Sequence, residues 1–129
     1  MEYKLEENMP IYIQIMKKVR DAIASGDWAP GSKIPSVRDL AGLFEVNPNT
    51  MQRAMLELER EGILISERTA GRFVTEDKNL IRSLKKDVAV AAADDYRMRM
   101  AELGYTIEEM IEFFRERNKE IASDETKVG

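Results

Sequence analysis

The chain has 129 residues, a formal net charge of −4, and neither cysteine nor histidine. This length suits one ordinary domain with a short appendage. Without those two residue types there is no disulfide, no thiolate nucleophile, and neither the commonest metal ligand nor the commonest general base. We therefore expect a protein that is not an enzyme and holds no metal or cofactor. No long apolar run or signal-like N-terminus is visible, so a cytoplasmic location is expected.

The first periodic segment covers residues 10–25. Pro10 suits the first turn of a helix and Gly26 suits its end. The apolar residues recur at helical spacing: Ile11, Ile15, Val19 and Ile23. This pattern predicts an amphipathic helix, followed by a loop over residues 27–32 whose Trp28 packs on the core.

Two short helices with clear start signals follow. Ser36 is placed to cap one helix, with Asp39 at the acidic position of a capping box. Asn47-Pro48 reads as the cap and first residue of the next. That second helix has an apolar stripe formed by Met51, Ala54, Met55 and Leu58. Because only two residues separate the helices, the segment predicts a helix-turn-helix.

A β-hairpin is predicted directly after the second helix. The short runs 63–66 and 72–75 are rich in apolar and β-branched residues, and the Gly-containing segment 67–71 lies between them. Such a pattern is typical of two paired strands. A hairpin in this place is a wing.

The C-terminal part predicts two further helices. Residues 78–103 carry a wide apolar stripe that ends before Gly104. Thr106 and Glu109 then form a capping box, so a new helix is expected from residue 107, fraying over 122–129. Two such helices cannot bury their stripes alone, so they must self-associate or dock on the preceding unit. The predicted fold is mainly α with a small β-hairpin: a winged helix-turn-helix over residues 1–76, then a two-helix dimerisation hairpin over 77–129.

The exposed side of the helix at 48–61 suits the major groove of DNA. Successive helical residues turn by about 100°, which points Asn49, Gln52, Arg53 and Leu56 outward and leaves Thr50 at the boundary. Asn and Gln can pair with adenine, and Arg with guanine. Arg38 is placed to reach a phosphate or base from the preceding helix, while Gly71 and Arg72 are expected to bring the wing tip close to the minor groove or backbone.

Several of these segments resemble the GntR family of regulators. Residues 33–41, Lys-Ile-Pro-Ser-Val-Arg-Asp-Leu-Ala, match its leucine-proline-serine-x-arginine-x-leucine-alanine signature, and residues 46–51 and 58–63 continue the likeness in register. The segment 10–15 and the Asn-Pro-Asn-Thr tetrad at 47–50 resemble the YtrA-type subfamily. Pro48 and Gln52 stand where the common family pattern has arginine, so base preferences do not transfer.

The resemblance implies a transcriptional regulator, most simply a repressor, that binds an inverted-repeat operator as a homodimer. It implies that the residues at Arg38, Asn49, Thr50 and Gly71 contact DNA, with helix 48–61 in the major groove and the wing 67–72 on the minor groove or backbone. The full set of expected DNA contacts is Lys33, Ser36, Arg38, Asn49, Thr50, Gln52, Arg53, Gly71 and Arg72. The expected dimer contacts are Leu84, Val88, Ala91, Ala92, Tyr96, Met110 and Phe114. YtrA-type members often regulate transporter operons.

Two alternative functions compete with this interpretation. In an enzyme, adjacent acidic pairs such as Asp94-Asp95 would have to form a dyad, but neighbours on a helix point about 100° apart. A winged helix that binds protein instead of DNA is favoured by the negative net charge and disfavoured by Arg38, Arg53 and Arg72. An effector site is left open: the C-terminal aromatic residues either line one or pack in a core or dimer, namely Tyr96, Tyr105, Phe113 and Phe114.

Overall fold

The computed structural model describes residues 3, 5 and 8–128 of the chain. It divides into two compact units, Met1–Val88 and Ala89–Gly129. The elements in chain order are α1 Ile11–Ser25, α2 Val37–Phe44, α3 Pro48–Arg60, β1 Leu64–Glu67, β2 Gly71–Val74, α4 Lys78–Glu102 and α5 Ile107–Val128. The architecture is the mainly helical winged helix-turn-helix that the sequence predicts. Within the described residues, no helix is long and apolar enough to cross a membrane.

Helix α1 forms where the periodicity predicts it. Pro10 precedes the first turn, and Gly26 ends the helix in the left-handed region at φ 90°. Ile15 and Val19 are fully buried. Ile11, expected in the same stripe, is 48% exposed because it opens the helix beyond the edge of the core, so that part of the prediction is wrong. Trp28 packs against the core as expected.

Side-chain caps fix the starts of α2 and α3. The Ser36 hydroxyl accepts from the Asp39 amide at 3.1 Å, and Asn47 Oδ1 accepts from the Asn49 amide at 2.8 Å. Each cap satisfies a donor that the helix leaves unpaired, which contributes about 1 kcal/mol. Glu45 turns the chain between the helices with a φ of 57°. The predicted caps and two-residue turn are therefore confirmed.

The core of the first unit is built around α3. Its four inward residues show no solvent exposure: Met51, Ala54, Met55 and Leu58. Burying a large apolar side chain contributes about 1.5–3 kcal/mol. These contacts hold α3 against α1 and α2, which leaves the opposite face of the helix in solvent.

The wing contains more pairing than the two predicted strands. β1 and β2 are antiparallel, with Ser66 opposite Arg72 and Glu67 opposite Gly71. The loop before α2 adds a third line of contacts, because Lys33 bridges Phe73 and the Ile34 amide donates to the Arg72 carbonyl at 3.0 Å. The wing is thus tied to the loop that carries the family motif.

The first part of α4 belongs to the core of the first unit. Leu84 is only 6% exposed and lies in the core cluster, with Ile81 and Val88 packed against it. Asp77 caps the helix by accepting from the Asn79 amide at 3.0 Å. The sequence pattern predicts a boundary at 76/77, between the hairpin and the next helix, whereas packing extends the first compact unit to Val88. Leu84 and Val88, expected at a dimer interface, are placed in this core.

The second unit contains the rest of α4 and the whole of α5. The Thr106 amide donates to Glu109 Oε1 at 2.9 Å and the Glu109 amide donates to Thr106 Oγ1 at 3.2 Å, so the predicted capping box is confirmed. The Tyr96 hydroxyl donates to the Met110 carbonyl at 2.7 Å. Its ring lies 6.3 Å from that of Phe114 in an edge-to-face arrangement. The hydroxyl bond and the ring contact both join α4 to α5.

A wide apolar surface stays in solvent on the second unit. Of the residues expected at the dimer interface, Met110 is buried within the chain, whereas Phe114 is 64% exposed. Ala91 and Ala92 are exposed too. The other large exposed residues are Val90, Met98, Leu103, Ile107, Ile111, Phe113 and Ile121. Helix α5 continues to Val128, and Thr126 Oγ1 donates to the Ala122 carbonyl at 2.8 Å within its last part. The expected fraying over 122–129 stays a prediction, and Gly129 lies outside the described residues.

Candidate DNA-binding surface

The outer face of α3 has the composition that its periodicity predicts. Asn49, Gln52 and Arg53 are exposed, and Thr50 is half-buried at the boundary. Leu56 is 41% exposed on the same side. Amide and guanidinium groups on an exposed helix can form the paired hydrogen bonds that distinguish bases in the major groove. This face is therefore chemically suited to base recognition.

Arg53 is held in place by a residue of α1. The centre of its guanidinium lies 3.8 Å from the centroid of the Tyr12 ring, and Tyr12 itself packs partly buried against the core. A cation stacked on an aromatic face gains about 0.5–1 kcal/mol at an exposed site. No local signal in the sequence points to this role of Tyr12, because the ring that a distant arginine contacts depends on the folded chain.

The start of α2 presents a second group of polar atoms. Arg38 is exposed in the first turn of the helix. Ser36 is exposed too, and although its oxygen accepts from Asp39, its hydroxyl hydrogen is available as a donor. Both groups could contact a phosphate from this position.

Gly71 and Lys33 lie together at the edge of the wing. The φ of Gly71 is +113°, a conformation that side-chain-bearing residues rarely adopt. A Cβ placed there would lie 2.9 Å from Lys33 Cε. Because Cε lies near the far end of a flexible side chain that can move aside, the backbone conformation is the main reason for glycine at this position.

Arg72 is placed differently from the expected wing tip. It lies one rung below, opposite Ser66, and its Nε donates to Glu59 Oε1 at 2.6 Å. The side chain is only 16% exposed. The tip consists of Arg68, Thr69 and Ala70, all exposed. Arg68 was not among the expected DNA contacts, although its place within the predicted loop 67–71 was a usable signal.

Glu59 is the acceptor that joins α3 to both strands of the wing. It accepts from Ser66 Oγ as well as from Arg72. Burial acts to raise the pKa of the Glu59 carboxyl, but the hydrogen bonds from Ser66 and Arg72 and the charge of Arg72 outweigh it, so that this pKa is lowered from 4.5. The carboxylate is therefore held ionised.

The distribution of ion pairs explains how an acidic chain can present a basic surface. Three carboxylates, two in the second half of α3 and one just after its end, are each paired with an arginine: Glu57 with Arg60, Glu59 with Arg72, and Glu61 with Arg20. Such pairs neutralise acidic charge close to α3. Net charge alone is thus a poor guide to the local field.

Four other cations of the first unit are placed differently. Among residues 8–126 no ion pair involves Lys33, Arg38, Arg53 or Arg68, and all four are exposed. Their charges are free to attract phosphate, which is the main source of affinity in protein–DNA complexes.

A capped helix-turn-helix with a polar outer face and an adjoining β-hairpin defines a winged helix protein of the DNA-binding class. Residues 11–74 match the model of bacterial regulatory proteins of the gntR family. The chain is 37% identical over 112 residues to the HTH-type transcriptional regulator YhcF of Bacillus subtilis, which covers 87% of this chain and 93% of YhcF. The chain therefore belongs to the GntR family.

Further similarity extends to a repressor and to solved structures. The HTH-type transcriptional repressor YtrA of Bacillus subtilis is 44% identical over 68 residues, covering 53% of this chain and 52% of YtrA. A GntR family transcriptional regulator from Listeria monocytogenes matches with a TM-score of 0.77 and 37% identity over 87% of this chain and 98% of that one. The AraR DNA-binding domain in complex with operator ORE1 matches with a TM-score of 0.50 and 28% identity over 58% of this chain and 94% of that one.

Proposed function

We propose that the protein is a sequence-specific repressor that binds an inverted-repeat operator as a homodimer. Helix α3 enters the major groove and the hairpin tip contacts the minor groove or backbone. The observation that carries this proposal is the exposed face of α3, whose Arg53 stacks on Tyr12 while three carboxylates near its C-terminal end are each paired with an arginine. The operator complexes of the AraR domain, a structural neighbour, support the same use of the fold.

The dimer is proposed from the apolar surface of the second unit. On α5, residues 107, 111, 114 and 121 recur at the spacing of one helical face, and each is about half exposed or more. Monomeric proteins rarely leave so continuous an apolar surface in water. A second copy offers the same surface, so a two-fold interface covers both.

Two-fold symmetry determines the form of the operator. Two recognition helices related by a dyad read half-sites about 10 bp apart, or a multiple of that distance. The recognised sequence is therefore an inverted repeat. Resemblance to the YtrA type extends the proposal to an operator next to transporter genes.

Selection from a random DNA pool at two salt concentrations tests the proposal, with the mass of the protein and its complex measured in parallel. We expect one inverted repeat, bound by two copies of the chain. Arg38→Ala and Arg53→Ala should each weaken binding to the selected site by about tenfold or more, since a base or phosphate contact contributes about 1–3 kcal/mol.

Arg115→Ala is the matched control, because Arg115 is an equally exposed cation on α5, outside the proposed surface. It should leave the affinity unchanged. If the wild-type chain selects no sequence even at low salt, the protein-binding winged helix becomes the better hypothesis. Equal losses in all three variants would instead indicate binding without a defined surface.

A further inference from the structure

The contact between Glu59 and Arg72 joins the recognition helix to the wing. Arg72 Nε lies 2.6 Å from Glu59 Oε1, and their side chains are 16% and 22% exposed. Ser66, on the other strand, donates to the same carboxylate oxygen. One carboxylate of α3 thus binds β1 and β2 at a single rung of the hairpin.

The rung formed by Ser66 and Arg72 lies above the part of the hairpin that is anchored in the core. The base of the hairpin is anchored by Leu64 and Val74, both 1% exposed in the core. Above it, Ile65 is 44% exposed and Ser66 and Glu67 are exposed, so apolar packing no longer holds this strand. The bonds from Ser66 and Arg72 to Glu59 therefore connect the outer half of the hairpin directly to α3. The Ile34 amide, which donates to the Arg72 carbonyl at 3.0 Å, ties the same rung to the loop before α2 instead.

The same contact limits what Arg72 can do with DNA. Its charge is compensated by Glu59 through a short, half-buried, charge-assisted hydrogen bond. A phosphate would have to compete with that carboxylate and would leave Glu59 close to DNA without its partner. Arg68 has neither restriction, since it is exposed at the tip.

We propose that Glu59 and Arg72 are positioning residues: they set the angle of the wing to the recognition helix, and Arg72 supports operator binding through Glu59 instead of holding a phosphate. Arg68 then supplies the cationic contact at the wing. This inference rests on the proposed operator binding. According to this proposal, the acidic residue Glu59 of α3 favours binding of DNA, although DNA is itself anionic.

Arg72 could either hold a phosphate or position the wing, and these two roles predict opposite changes in operator affinity for Glu59→Gln. If Arg72 held a phosphate, removing the carboxylate would free its guanidinium and lower the negative charge, so the operator would bind more tightly. If the pair positions the wing, loss of the charged acceptor loosens the hairpin, and we expect binding to weaken by about fivefold to tenfold. Arg72→Gln should weaken binding to the same extent, and the double variant should be no worse than either single one.

Salt dependence gives a second readout. Each phosphate contact contributes about 0.9 to the slope of log affinity against log salt concentration. We expect that slope to be unchanged in Glu59→Gln and Arg72→Gln and to fall by about that amount in Arg68→Gln. Hydroxyl-radical footprints of the two positioning variants should lose protection at the wing and keep it at α3.

A readout without DNA separates this inference from the proposed function. Amide hydrogen exchange of residues 66–72 in the free full-length chain should accelerate in Glu59→Gln, and to a smaller extent in Ser66→Ala, which loses one of the two bonds. The inference is overturned if exchange is unchanged, if Glu59→Gln binds the operator as tightly as wild type or more tightly, or if Arg72→Gln lowers the salt slope. A wild-type chain that selects no DNA sequence, with the exchange result as expected, refutes the proposed function alone.

Discussion

Substitution of Leu84 directly tests whether this residue packs within its own chain or at the dimer interface. The side chain is 6% exposed within the core cluster of the first unit, although its position in the α4 stripe suggested a dimer contact. Leu84→Ala removes three carbon atoms, which at about 0.8 kcal/mol each gives about 2.4 kcal/mol. The cavity left behind raises the expected loss in the free energy of unfolding to about 3 kcal/mol.

Denaturant unfolding at two widely separated protein concentrations, with sedimentation of the folded protein, measures this effect. The loss should be the same at both concentrations, and the dimer dissociation constant should stay unchanged. Phe114→Ala is the contrasting variant, because Phe114 is 64% exposed in the single chain. It should weaken self-association while costing the individual chain little. A Leu84→Ala protein with wild-type unfolding and a weaker dimer would refute the assignment of Leu84 to the intrachain core.

Three further outcomes are expected. Tyr12→Leu should weaken operator binding by about twofold to fivefold through the lost stacking on Arg53, and titrations should show no such loss when Arg53 is already alanine. Gly71→Ala should lower the free energy of unfolding by about 1–2 kcal/mol because of its φ of +113°, in contrast to the wild-type stability expected for Ala70→Gly. The pKa of Glu59 is lowered in the folded state from its ordinary value of 4.5. The ionised carboxylate therefore stabilises the fold fully above pH 4.5, and this stabilisation is lost as the pH falls through the folded-state pKa. Urea midpoints of wild type and Glu59→Gln should therefore differ most near neutral pH and converge in acid; a constant difference would contradict this.

Local signals were sufficient for most of the fold and for the outer face of α3. Helical period and side-chain caps act within a few residues, so Ser36, Asn47 and Thr106 indicate helix starts from sequence alone. The turn of about 100° per residue then fixes which side chains leave the core. Thr50, expected at the boundary, is half-buried there.

The remaining features depend on contacts between distant segments. Arg72 reads locally as a free wing cation, and only the folded chain brings Glu59 to it. Likewise, Leu84 lies in a stripe that could be covered by its own chain or by a second one, and periodicity does not distinguish them. Gly71 was expected to bring the wing close to DNA, but its nearness to Lys33 depends on the bridge between the loop before α2 and the hairpin.

The stack of Arg53 on Tyr12 has a consequence for engineering operator preference. An arginine already aligned before DNA arrives loses less side-chain freedom on binding, so part of the entropy cost is met during folding. That alignment is supplied by α1. Transplanting residues 48–60 into a related scaffold without an aromatic residue at position 12 would transfer the chemical groups that read bases but leave this arginine free to sample other rotamers. Such a chimaera should therefore receive helix α3 together with the Tyr12 ring that aligns Arg53.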